Sequence, residues 1–475
     1  MKKQLRNLVV SFCVVALLVV GIIVWVYVVS PKLGSNTGSS SSATSSTASI
    51  VVYKQNSANI TKLNVQNAKG EFTIRKQGSS YSLDGVPTSL LSQDIVSTDV
   101  TTAADIEATS VIEKNAKDLS KYGLSKPKTV LTITSNGKTE TINIGNNTIT
   151  SSGTYVCEKG SNKVYLANSG MGTSFESTKT DFVDTSIYAL DSSSLNKLTR
   201  VEFGGPGRKE PIILNETADS INAATSGSTP EYTMTAPYGY PVNTDTISTL
   251  TSNLSSLSAD SALSLDLSSA SLKKYGLVNP KYTVTLTYDN KTTTLLFGTG
   301  FSDAGSSYLP VVVKGRPVIY KVDASNVPFY DYQLSNLTSV LLYLPNIADI
   351  KTLQITSGGK SHTLSLSGSS TNISGSVDGK KVKEQNIKNF YEYAIGVTSE
   401  GLYTQTVTGK PYATFAYTYR DAKKKPVTVN FNEIDSRRCT FTINGRTDFY
   451  VLRSTVDKAI SKMETLVAGK TVSDS

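Results

Sequence analysis

The residues of this 475-residue chain that could do chemistry are few and scattered. Its one histidine stands in His362-Thr-Leu-Ser-Leu and shares strand parity with Leu364 and Leu366. That pattern suits a half-buried strand position better than a general base. A single histidine also leaves histidine-rich metal sites and nucleophile–histidine pairs without material. Asp181 and Asp184 have the spacing of one helix face, but no further acid marks a cleft for paired-carboxylate hydrolysis, so they read as surface residues. Gly204-Gly-Pro-Gly207 follows a strand as a phosphate cradle would, yet Arg208-Lys-Glu-Pro leads into another strand instead of a helix. The motifs G-x-x-x-x-G-K-[ST], H-E-x-x-H and G-x-S-x-G do not occur. No catalytic, cofactor-binding or metal-binding residue is assigned, and a non-enzymatic protein is expected.

Two features suit binding. Pro237-Tyr238-Gly-Tyr240-Pro241 holds two tyrosines in a proline-bracketed turn that could stack on a sugar ring or a partner surface. The plainer role is to close a core just ahead of a helix. Lys423, Lys424 and Lys425, with Lys380, Lys381 and Lys383, could meet anionic wall polymer or lipid headgroups. Their plainer role is a charged hairpin tip that keeps a sheet edge soluble.

Charge and cysteine usage narrow the class. Of the net charge of +9, Lys2, Lys3, Arg6 and Lys32 supply +4, and the stretch from Ile347 onward supplies +6 from 18 basic and 12 acidic residues. The middle of the chain is therefore about neutral, which excludes a continuous basic stripe for nucleic acid. Cys157 and Cys439 are isolated in strand-like runs and suit buried free thiols; Cys13 lies in an apolar run.

That run, residues 8–29, has 22 residues and no charge, long enough to span a bilayer as a helix. The basic residues before it place 1–7 in the cytoplasm and the remainder outside, and Trp25 and Tyr27 suit the outer interface. No Ala-x-Ala-like site precedes Pro31, so an uncleaved single-pass anchor is expected. Residues 30–49 are dominated by Ser, Thr and Gly and form the expected tether.

Beyond the tether the chain divides into three units, 50–190, 191–345 and 346–475, the last divergent. Each opens with alternating strands, as in Ile60-Thr-Lys-Leu-Asn-Val, Leu198-Thr-Arg-Val-Glu-Phe and Ile350-Lys-Thr-Leu-Gln-Ile. An amphipathic helix follows. Ile387, Phe390, Tyr391, Ala394 and Ile395 mark it in the third unit, and Ile247, Leu250, Leu254 and Leu257 in the second, after a cap at Asn243. Leu90, Leu91 and Ile95 mark a weaker one in the first. More strands come next, with turns at Asn136-Gly137 and Asp289-Asn290. A closing helix is expected in all three, clearest after a Ser454–Asp457 capping box and ended by Gly469. The expected class is α+β: tandem β-rich modules, each with one or two amphipathic helices, behind a transmembrane helix.

Between helix and second strand run, the first two units share a stop: Tyr122-Gly123-Leu124 with Pro127, and Tyr275-Gly276-Leu277 with Pro280. Glycine takes the left-handed position past the last turn, leucine folds back on it, and proline prevents the helix from resuming. Gly401-Leu402 is the corresponding remnant in the third unit. The doubled Tyr-Gly-Leu-x-x-Pro stop, its hairpin and the upstream proline-then-helix order resemble the bacterial family called domain of unknown function 4340. The resemblance covers roughly residues 60–335 well. It implies a single-pass, extracytoplasmic protein acting with ABC transporter subunits or other envelope proteins. It supplies no catalytic residues to carry over. The alternative expectation is a surface protein binding cell-wall polymer or glycan.

Overall fold

Alternation of apolar and polar residues builds most of this chain into strands, which the computed structural model describes for residues 49–190, 198–223, 230–369 and 371–474. In the first sheet, Ile60–Asn67, Gly70–Gln77 and Ser80–Leu83 form an antiparallel meander. The chain crosses through the helix Gln93–Ala104 to the far side of the sheet and lays down Asp105–Glu113. It then returns to the middle, where Thr129–Ser135 pairs with Ile60–Asn67. From there Lys138–Asn147, Thr154–Glu158 and Val164–Ala167 run outward until they meet Asp105–Glu113, and Ile50–Lys54 closes that edge.

The same order recurs twice. In the second sheet Leu198–Gly204, Ile212–Glu216 and Tyr232–Ala236 precede the helix Thr244–Asn253 and the edge strand Ser261–Ser264. The return strands are Tyr282–Tyr288, Lys291–Phe297, Ser306–Val313 and Ile319–Asp323. In the third, Ile350–Ser357, Lys360–Ser369 and Asn372–Val377 precede the helix Glu384–Ile395 and the edge strand Ser399–Leu402. Ala413–Tyr419, Val427–Phe431, Arg438–Ile443 and Arg446–Leu452 return.

The α+β expectation is corrected. The described residues hold 29 strands, 27 of them in three nine-stranded antiparallel sheets, and only four α-helices reach ten residues. The architecture is therefore mostly β, with one helix as the crossover of each sheet. The segment expected to cross a membrane, 8–29, lies outside the described residues, as does the tether up to residue 48. Among the described residues no helix is long and apolar enough to span a bilayer.

The helices explain the discrepancy. Glu384–Ile395 buries Ile387, Phe390, Tyr391 and Ala394 on the expected stripe. Thr244–Asn253 begins after Asn243, whose side chain accepts from the Thr246 amide at 3.0 Å. In the first unit the helix is displaced: Leu90 and Leu91 precede it and Ile95 is exposed, while Val96, Val100 and Ala103 face the sheet. The cause is Leu91, which bridges to Val183 and holds the chain extended. Only the third unit closes with a long helix, Arg453–Val467; the second has the single turn Leu334–Leu337, and the first only short 3₁₀ turns. Ser454 lies inside that long helix, so the expected capping box does not form, and Asp457 pairs with Arg453 one turn back. Gly469, at φ 70°, ends it.

The apolar core runs continuously through all three sheets. A two-stranded ribbon of Ser186–Ala189 with Ser256–Ser258 ties the end of the first unit to the second. Cys157 and Cys439 are buried free thiols.

Candidate functional site: a groove where the second and third modules meet

The repeated stop is built as a clamp on the sheet. Gly123 and Gly276 both have φ 70°. The Leu124 amide donates to Leu119 O at 3.0 Å and that of Leu277 to Leu272 O at 2.8 Å, the wider of the two bonds that satisfy a helix end. Leu124 and Leu277 are buried in small apolar clusters separate from the main core, beside Tyr122 and Tyr275. Pro127 and Pro280 lie two residues before Thr129–Ser135 and Tyr282–Tyr288. Beneath each stop lies a glycine that sequence reasoning missed. A Cβ at Gly145 would meet Tyr122 O at 2.2 Å, and one at Gly298 would meet Tyr275 O at 2.2 Å. The signal was present, since each stands 22 residues after the stop glycine. These residues position backbone and offer no chemistry.

Gly401-Leu402 is not a stop. Both residues belong to the edge strand Ser399–Leu402, pairing with Tyr450 and Phe449. A Cβ at Gly401 would strike the Tyr450 ring at 2.9 Å, so glycine there lets two strands approach.

The dispersed polar candidates stay apart. His362 Nδ1 lies 2.7 Å from Asp378 Oδ2 on a hairpin, and that hydrogen bond holds the Asp378 carboxyl below its ordinary range. Asp181 accepts from the Thr178 amide at 2.7 Å, and Asp184 from the Ser186 amide at 2.9 Å, so each is spent on its own turn. The Gly204–Gly207 turn holds protein in place of phosphate. It seats the buried Arg208 guanidinium, which donates to Gly204 O at 2.6 Å, Tyr332 O at 2.8 Å and Tyr330 O at 2.9 Å. Burial lowers the Arg208 pKa to about 10. A Cβ at Gly205 would meet Lys281 O at 2.6 Å.

The two residues after Arg208 reach the third module. Arg446 forks between Glu210, at 3.1 and 3.2 Å, and Asp448, to which its Nε also donates. Asp448 is 5% exposed, and it also accepts from the Tyr240 hydroxyl at 3.1 Å and faces Lys209 at 3.7 Å. A cleft of about 440 Å³, open mouth included, lies over this cluster. Its floor is a mutually neutralised network that joins two modules. Nothing in the isolated charges of Glu210, Arg446 and Asp448 announced it, although an acid flanked by strand residues, as in Arg446-Thr-Asp448-Phe, is the kind of inward charge that needs a partner.

The proline-bracketed turn lies against the same cluster. Tyr240 is 2% exposed, with its ring 5.1 Å edge-on to Phe449 and 5.0 Å from Tyr238. Tyr240 is thus a core residue of the junction. Tyr238 is partly buried and packs against the core beside Tyr240.

On the other side of this turn opens a groove of about 930 Å³, mouth included. Gly239 and Pro241 come from the turn, Tyr343, Leu344 and Pro345 from the end of the second module, and Asn346, Asp349, Tyr419, Lys424 and Lys425 from the third module. The Tyr343 and Tyr419 hydroxyls are hydrogen-bonded to each other, and burial raises the Tyr343 pKa far above the ordinary phenol value. Lys424 Nζ lies 2.8 Å from Asp349 Oδ2 and 5.6 Å from the Tyr419 ring centre. The fold thus brings the tyrosine turn and the lysine hairpin, singled out independently in the sequence, to one groove. Lys423 lies beside it; Lys380 and Lys381, on the edge strand Lys380–Val382, and Lys383 just beyond it do not line it.

Among the described residues no group of histidine, cysteine and acidic side chains is arranged to hold a metal ion. No curated protein matches this chain, and no solved structure matches it. One family's sequence model does match, described as domain of unknown function, DUF4340, and it aligns twice, over residues 90–220 and 233–405. Those two matches cover more than half of the chain and include both Tyr-Gly-Leu stops, and the protein belongs to the DUF4340 family as a tandem-repeat member.

Proposed function

We propose that this protein is a non-enzymatic, extracytoplasmic scaffold, held at the membrane through the apolar segment 8–29, that serves an ABC-transporter-associated complex of the cell envelope. The observation that carries the reading is the junction of the second and third modules. Buried Asp448 of the third module takes Tyr240 and Lys209 of the second as partners, and its neighbour Arg446 pairs with Glu210, so separating the modules would strip these contacts away. Together with the continuous core, this network makes the modules one stiff support. A stiff body with repeated, similar faces suits holding partners at fixed spacing, and the positive charge before the apolar segment orients the folded part outside.

Affinity purification of the full-length chain from detergent-solubilised membranes tests the proposal. The expected result is recovery of transporter permease or ATPase subunits with the wild-type chain and a reduced yield with Arg446→Ala. Recovery of no transporter subunit above background would overturn the transporter assignment.

A further inference from the structure

The groove between the proline-bracketed turn and the lysine hairpin has a composition that the scaffold role does not need. Its floor is aromatic and prolyl, from Tyr343, Tyr419 and Pro345, and its rim is cationic, from Lys424 and Lys425. Leu344 lies along it 44% exposed, so the surface offers apolar contact to something from solvent. The Asp349 carboxylate lies 2.8 Å from Lys424 Nζ, which stands 5.6 Å from the Tyr419 ring centre, so ammonium charge and aromatic ring lie side by side in the groove. Lys425 has no carboxylate within ion-pair distance among the described residues, so the lining keeps net positive charge with Asp349 set against Lys424.

We propose that this groove binds an acidic glycan, a chain of pyranose rings carrying carboxylates. Pyranose rings have an apolar face that packs on aromatic and proline carbon, and their carboxylates pair with ammonium groups. Asp349, Asn346 and the paired tyrosine hydroxyls supply polar atoms for sugar hydroxyls along the same wall. An acidic peptide would satisfy the lysines but makes less use of the tyrosine and proline carbon. The groove is composite: its walls belong to the second and third modules, so it exists only while the modules stay docked. Tyr238 and Tyr240 contribute by setting the turn; the Tyr240 ring packs on Phe449 of the third module, and the Tyr238 ring packs on Tyr240.

Titration calorimetry of the detergent-solubilised full-length chain with a galacturonate hexamer tests this, with a neutral galactose hexamer and hexaglutamate as comparators. Saturable binding of the galacturonate hexamer is expected, weakened by salt. Tyr419→Ala and Lys425→Glu should each reduce affinity by about tenfold or more. Lys425 is exposed, so Lys425→Glu keeps the test valid even if Tyr419→Ala disturbs folding. Binding of hexaglutamate as tight as the galacturonate hexamer would overturn the glycan assignment in favour of an acidic peptide. Unchanged affinity in Lys425→Glu, or no saturable binding of the galacturonate hexamer, would overturn the site. None of these outcomes bears on co-purification with transporter subunits, so the two proposals fail separately.

Discussion

Asp99 is an acid with no place for its charge. It sits on the inner face of the helix Gln93–Ala104, 7% exposed, and its Oδ2 has no hydrogen-bond partner among the described residues. Desolvation pushes its pKa up to about 7. The unfolded chain releases this proton near the ordinary carboxylate value, so between about pH 4 and pH 7 the folded state holds a proton the unfolded state has lost. For this group, stability is fully present in acid and falls as pH rises through about 7. Melting temperatures of the wild type and Asp99→Asn, compared from pH 4 to pH 8, should therefore diverge. The variant loses the downward slope and gains on the order of a few kcal/mol at pH 8 relative to the wild type. Parallel pH profiles would contradict the burial argument. Gly145 and Gly298 make the other residue-scale case. Alanine at either forces the stop carbonyl away from the sheet and should cost about 1–3 kcal/mol by chemical denaturation. The same change at Gly239, whose Cβ would meet only Met234 O at 3.7 Å, should cost less.

At the scale of elements, the strands were the most legible part of the sequence. Period-two alternation such as Thr129-Val-Leu-Thr-Ile-Thr maps directly onto Thr129–Ser135, whose residues alternate buried and half-buried along its whole length. The turns were legible because Asn136-Gly137 and Asp289-Asn290 both adopt the positive φ their side chains tolerate. Helix bounds were not, because tertiary contacts decide them: Leu91 is held by Val183, and Ser454 is drawn into a helix that starts one residue earlier. The groove was half legible. Its lysine hairpin and proline turn stood out by composition, but Tyr343, Asp349 and Tyr419 acquire meaning only when the modules dock. The inter-module network was not legible, because Glu210 and Arg446 lie 236 residues apart. Its energetics follow from burial. Arg446→Ala leaves the buried Asp448 carboxylate short of its main counter-charge and should cost about 3–5 kcal/mol. Glu210→Ala removes a partner that is 42% exposed and should cost about 1 kcal/mol or less. Equal losses in urea unfolding would mean that Asp448 is not the centre of the network.

At the scale of the whole molecule, three similar sheets share one apolar core. Each nine-stranded sheet could in principle fold alone, and modules joined only by linkers would unfold separately. Here a shared strand pairing links the first two units, and the Tyr240–Asp448 and Glu210–Arg446 contacts link the last two. The apolar core does not stop at either boundary. Stiffness of this kind is what lets a scaffold hold partners at fixed spacing and what keeps the composite groove in being. Differential scanning calorimetry of the detergent-solubilised full-length chain measures it most directly. A single transition whose calorimetric and van't Hoff enthalpies agree is expected, splitting into resolved transitions in Arg446→Ala. Separate, independent transitions in the wild type would contradict it.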